Sequence, residues 1–215
     1  MWESVDVRDG AEGTHRWEAA GRPIVPSLSI DGVVEPVLHV SQLAAALGLP
    51  TQPTLSASHL ARDTLVVLDA WLAGIRPLAV EALLEPTPAR GRSLRNLTVN
   101  VFHPFELLPT AWDTGVFQWD PDEDAALEQT LTTAERVVGY AAGIRSTWGA
   151  FLDRRGAELS RSDSAIVSPR GDVTFSVVLD VQRWHAAFHL RQLDAVLHTR
   201  LLPELVELAL PDDVF

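Results

Sequence analysis

From residue 59 onward the apolar residues recur in helical register along four long stretches, and this most limits what the chain can fold into. The first runs from about His59 to Leu84, with Leu65, Leu68, Ala70 and Leu72 marking its apolar side. Pro77 falls inside it and is expected to bend or break it, and "EPTPARG" ends it. Ser93 is placed to cap a second helix, "LRNLTVNVFHPFELLPTAW". A third is predicted from Asp122 to about Arg154, after the turn and cap "WDPDED". "SRSDSAIVSPRGD" reads as a loop, and a fourth helix starts at Thr174 and runs to about Leu202. Four long helices with loops between them predict an antiparallel four-helix bundle.

Residues 1–49 carry a different pattern. "WESVDV" reads as a short strand, and "GAEGTHRWEAAG" as a short helix closed by Gly21. "VPSLSI" and "VVEPVL" are alternating runs joined by Asp31-Gly32, a strong hairpin signal. "HVSQLAAALGL" reads as a helix capped by Ser41 and ended by Gly48. The expected order is β-α-β-β-α, too small for a stable core of its own. "PTQPTLSAS", residues 50–58, reads as a linker to a helical domain spanning 59–215. The predicted class is therefore α+β, mostly α.

Composition removes several functions. The formal net charge is −12, and with no Lys every basic residue is Arg. No basic stripe stands out, so neither a nucleic acid nor an anionic membrane is an expected partner. No apolar run reaches the roughly 18 residues of a spanning helix. No signal peptide is read at the start, and a cytoplasmic protein is expected. The absence of Cys excludes disulfides, thiolate ligands and cysteine nucleophiles. Any metal must be held by His, Asp, Glu or water. Serine-hydrolase chemistry has no support, because no Gly-x-Ser-x-Gly occurs. Of the seven Trp, Trp71, Trp112, Trp148 and Trp184 fall on predicted helices as core or pocket lining, and Trp119 lies in an acidic turn or lid.

The chemistry concentrates in "RWHAAFHLRQL", residues 183–193. His185 and His189 are one helical turn apart on one face, a spacing that lets two imidazoles converge on a metal. Gln192 continues that stripe, and Trp184 and Phe188 form its apolar neighbour. Taken alone, the spacing fits two partly buried or surface histidines better than a metal site. A catalytic site usually has a third protein ligand, drawn here from His15, His39, His59, His103 and His198. His103, inside the apolar run "VNVFHPFELL", faces either the core or a buried site. Asp180 and Asp194 lie five residues to each side of the pair and point off its face.

"RSLRNLTVNVFHPFELL" and "WHAAFHLRQL" together resemble the second and last helices of the DinB-like four-helix-bundle family. The resemblance covers about residues 55–210, and these two segments are its specific part. It implies a divalent-metal site on His103, His185 and His189, usually with Zn or Ni, and imidazoles do not discriminate these from Fe. It also implies thiol-dependent transfer or isomerisation, with a low-molecular-weight thiol as cosubstrate and a homodimeric bundle. Glu106, three residues after His103, is the candidate catalytic carboxylate, as a fourth ligand or an acceptor supporting one. The sequence departs from the pattern at Pro104, which predicts a kink or a restart of the helix beside His103.

"RPIVPSLSIDGVVEPVLHVSQLAAALGL" resembles the second half of a glutaredoxin or thioredoxin-like fold. There Val25-Pro26 would correspond to the cis-proline loop that holds the backbone of a bound thiol peptide. These residues hold no Cys and so no CxxC motif, and a dithiol oxidoreductase is not expected. The leading expectation is a metal-dependent enzyme acting on a small organic molecule, by thiol addition or transfer or a related isomerase, lyase or cyclisation step. The alternatives are a non-catalytic small-molecule-binding or resistance protein using the bundle cavity, and a structural dimerisation module.

Overall fold

The computed structural model describes Val5 and residues 10–22, 27–37, 39–49, 55–87, 91–159, 164–169 and 171–199. It is mostly helical, with two small antiparallel sheets of two strands each. The chain divides into two compact units, Met1–Pro53 and Thr54–Phe215.

The first unit contains α1 (Gly10–Ala19), β1 (Ser27–Ile30), β2 (Val33–Pro36) and α2 (Val40–Ala46). Asp31 and Gly32 both have positive φ, 51° and 82°, the backbone of a type I′ turn. That turn sets the register, with Ile30 opposite Val33 and Ser27 opposite Pro36. Gly21 and Gly48 close the two helices with φ of 82° and 65°. The expected cap at Ser41 is corrected: α2 starts at Val40, and the Gln42 side chain accepts from the His39 backbone N–H at 2.9 Å. The expected first strand and Val25-Pro26 lie outside the described residues, apart from Val5, which is in no regular element.

The second unit opens with α3 (Ala57–Ile75), whose N-cap Ser56 accepts from the His59 backbone N–H. Pro77 does break the first stretch: α3 stops at Ile75, and a short α4 (Val80–Leu84) follows. α5 (Leu94–Thr114) starts at the Ser93 cap and closes at Gly115, whose φ is 73°. It runs through both Pro104 and Pro109, so His103 keeps helical conformation and the helix does not restart there.

The predicted third helix is two helices. α6 (Pro121–Thr130) stops at Leu131, which leaves helical geometry at φ −89° and ψ 68°. α7 (Ala134–Leu159) then begins afresh, with Thr133 Oγ1 accepting from the Arg136 backbone N–H. The predicted loop after it contains a hairpin, β3 (Ala165–Ser168) paired with β4 (Gly171–Thr174). α8 (Phe175–Leu197) starts where expected but ends before Leu202, because His198 turns left-handed at φ 52° and closes the helix.

α3 and α5 each pack against both α7 and α8. Their buried faces follow the helical repeat, seen most plainly in Val137, Ala141, Ile144, Trp148 and Phe151 of α7. On α8 the inward stripe takes Val178, Leu179, Ala186, Leu190 and Leu193. Two buried indoles tie the helices by hydrogen bonds: Trp148 Nε1 to Thr64 Oγ1 at 2.8 Å, and Trp71 Nε1 to Thr98 Oγ1 at 3.1 Å. Trp71 and Trp148 are thus core residues as expected, whereas Trp184 is 45% exposed. No described helix is long and apolar enough to cross a membrane.

Candidate metal centre

α8 carries the histidine pair. His185 and His189 stand one turn apart, their rings crossing at 87° with centroids 4.5 Å apart. Their Nε2 atoms face each other at 3.0 Å. Two nitrogens each about 2.0–2.1 Å from one tetrahedral ion would be about 3.3–3.4 Å apart. The pair therefore fits two positions of such an ion after opening by a few tenths of an ångström.

The other ring nitrogen of His189 is engaged too. His189 Nδ1 donates to Gln192 Oε1 at 2.7 Å, and Gln192 is itself buried. An acceptor at Nδ1 favours the tautomer with Nδ1–H, which makes Nε2 the nitrogen that carries the lone pair. Helical spacing supplies this, since Gln192 lies three residues after His189 on the same face. The rotation of α8 is held by Arg183, which pairs with Asp180 at 2.8 Å and reaches Asp63 of α3 at 3.4 Å. Trp184 and Phe188 stack beside the pair at 5.4 Å.

His103 sits on the buried face of α5, 7% exposed. Its Nδ1 meets Asp124 Oδ1 of α6 at 2.5 Å, and Asp124 Oδ2 accepts from Trp119 Nε1 at 3.0 Å. That hydrogen bond raises the imidazole pKa; burial opposes it, and the negative charges of Asp124, Glu106 and Glu123 add to it. Among the described residues no three His, Cys, Asp or Glu side chains form a group able to hold one ion. The structure thus brings His185 and His189 together and bonds His103 separately to α6.

Glu106 is exposed one turn beyond His103. With Gly139, Tyr140, Gly143, Ile144 and Thr147 it lines a groove of about 310 Å³ between α5 and α7. The Tyr140 hydroxyl is buried there, directed toward Glu106 but without a well-formed hydrogen bond. Burial, followed by the charges of Glu106 and Asp124, raises its pKa, so it stays protonated and able to donate. Of the other candidates, His59 is exposed beside Asp63, His198 ends α8, and Asp180 is taken by Arg183.

Sequence reasoning missed Asp124, Trp119 and Tyr140. Trp119 and Asp124 lie in what the sequence presents as a turn and cap, and nothing local in "QWDPDED" signals a histidine 21 residues earlier. Gln192 was visible as part of the histidine stripe, though not its bond to His189.

No family model matches the chain, and neither a curated protein nor a solved structure matches it.

Proposed function

We propose that this chain is a DinB-like metalloprotein, with α3, α5, α7 and α8 forming the four-helix bundle and His103, His185 and His189 holding a divalent ion. The bundle reading is supported by the ring of contacts in which α3 and α5 each touch both α7 and α8. The observation that carries the metal reading is the pair of Nε2 atoms at 3.0 Å, with the proton of His189 drawn to Nδ1 by the Gln192 bond. Zn, Ni or Fe suits imidazole donors. When bound, such an ion supplies a Lewis acid that polarises a substrate oxygen or lowers the pKa of a bound water or thiol.

The activity we assign is thiol addition or transfer on a small organic molecule, or a related isomerase, lyase or cyclisation step. The chain has no Cys, so the thiol arrives as a cosubstrate. Glu106, exposed along the groove, accepts a hydrogen bond from a bound substrate, and the buried, protonated Tyr140 hydroxyl backs that carboxylate from within the fold. In this reading the protein is cytoplasmic and homodimeric. The groove of about 310 Å³ also supports a second reading, a small-molecule binder without turnover.

Elemental analysis of the purified protein, after dialysis against Zn(II), Ni(II) or Fe(II) and removal of excess, separates the two. About one ion per chain is expected, lost in His185→Ala and His103→Ala. A protein that retains none of these metals refutes the enzyme reading and leaves the binder.

A further inference from the structure

α6 is an unusual helix for a packed domain, because the buried side chain it contributes is a carboxylate, Asp124. A short surface helix ordinarily docks by burying apolar residues. Here Leu127 is only half-buried against the core, and Ala125 and Ala126 are exposed. What fastens α6 to α5 is polar at both ends. Near its C-terminus Glu128 accepts from Arg95 at 3.0 Å and from Asn96 at 2.6 Å. Near its N-terminus Asp124 meets His103 Nδ1 at 2.5 Å, and its second oxygen is held by the Trp119 indole at 3.0 Å. Burying a carboxylate is unfavourable unless it is fully bonded, and both oxygens of Asp124 are.

The geometry points to Asp124 as the positioning residue of His103, with α6 as the element that delivers it and Trp119 as the group that aims it. This rests on the metal-centre reading above. Asp124 takes the Nδ1–H, so Nε2 is the nitrogen left to ligate, and the ring cannot rotate about its Cβ–Cγ bond without breaking a charge-assisted hydrogen bond. Gln192 does the same for His189 with a neutral acceptor. The two histidines on different helices are therefore held in the same tautomer, Nδ1–H, by partners unrelated in sequence. Trp119, 37% exposed, is accordingly a support for the carboxylate through its N–H, even though its ring is partly in solvent.

The test uses full-length protein freed of metal, as wild type and as Asp124→Ala, Asp124→Asn and Trp119→Phe. The first measurement is the His103 tautomer by ¹⁵N NMR, at a pH above the imidazole titration. Wild type is expected as Nδ1–H, and Asp124→Ala is expected to shift toward Nε2–H. Asp124→Asn keeps an Oδ1 acceptor and should keep the Nδ1–H form. The second is Zn(II) affinity by competition with a chromophoric chelator. Asp124→Ala should weaken binding about 10–100-fold, Asp124→Asn should recover part of the loss, and Trp119→Phe should show a smaller loss. A merely structural ion pair would lower the unfolding midpoint without moving the tautomer or the affinity. The proposal is overturned if wild-type His103 is Nε2–H, or if Asp124→Ala leaves the tautomer unchanged and binds Zn(II) as tightly as wild type. If wild type binds no Zn(II) yet is Nδ1–H and shifts in Asp124→Ala, the metal reading fails and the positioning role stands.

Discussion

Replacing Thr64 with Val tests whether the helices are held by the bond between Thr64 and Trp148. Trp148 is fully buried, stacked on Phe151 with centroids 5.2 Å apart and tilted against Phe105 at 5.8 Å. Its indole N–H finds Thr64 Oγ1 at 2.8 Å, while the Thr64 hydroxyl donates to the Ala61 carbonyl at 2.6 Å. Val keeps the branched shape but offers no acceptor, so a buried N–H is left unsatisfied, at a cost of about 1–3 kcal/mol. The Ala61 carbonyl loses one of two partners, because it also serves the helix ladder, and this adds little. A loss of about 2 kcal/mol should lower Tm by about 4–8 °C in a unit of this size. Trp148→Phe removes the donor, so in that background Thr64→Val should cost under about 0.5 kcal/mol, leaving a coupling of about 1–2 kcal/mol. Urea denaturation of the four proteins of the cycle, followed by circular dichroism, measures this. If Thr64→Val costs the same in both backgrounds, the bond contributes nothing and the helices are held by packing alone.

Gln192→Leu removes the acceptor at His189 Nδ1. It should weaken Zn(II) binding about tenfold or more with little change in helicity, measured by chelator competition. In the metal-free protein the raised pKa of His103, caused chiefly by its bond to Asp124, sets a sign for the pH dependence. Its contribution to stability is fully present below the unfolded value near 6.5 and is lost as pH rises through the higher folded value. Unfolding midpoints in chelator should therefore fall across that window, and Asp124→Asn should flatten the fall; a wild-type profile that is flat or rising there contradicts the assignment. Gly115 closes α5 at φ 73°, and a Cβ there would meet only the Ala165 carbonyl at 3.5 Å, an ordinary contact. Gly115→Ala should thus cost about 1–2 kcal/mol by denaturation, from backbone strain alone.

Much of the local structure was legible because it depends on neighbours in the chain. Asp31-Gly32 specifies its turn through the φ > 0 that both residues adopt, and Ser93 opens α5 through a cap built within one helical turn. Pro77 ends α3 for the same local reason. Two local signals are weaker. Thr133 restarts a helix after Leu131, and "AIVSPRGDVT" contains a hairpin whose strands are only four residues each. The helix does not restart at Pro104: a proline costs a helix one ladder bond and one close contact, and α5, packed against both α7 and α8, runs through it and Pro109.

The sequence by itself determined the long helices, the first hairpin, the absence of cysteine chemistry, and the His185–His189–Gln192 stripe, because residues three and four apart on a helix must share a face. Only the tertiary structure decided which partner each imidazole has across the fold. Asp124 reaches His103 from 21 residues away because α6 folds back onto α5. Trp148 and Thr64 meet across 84 residues. Such pairings depend on how whole helices pack and rotate against one another, a sum over many buried side chains that no short stretch of sequence contains.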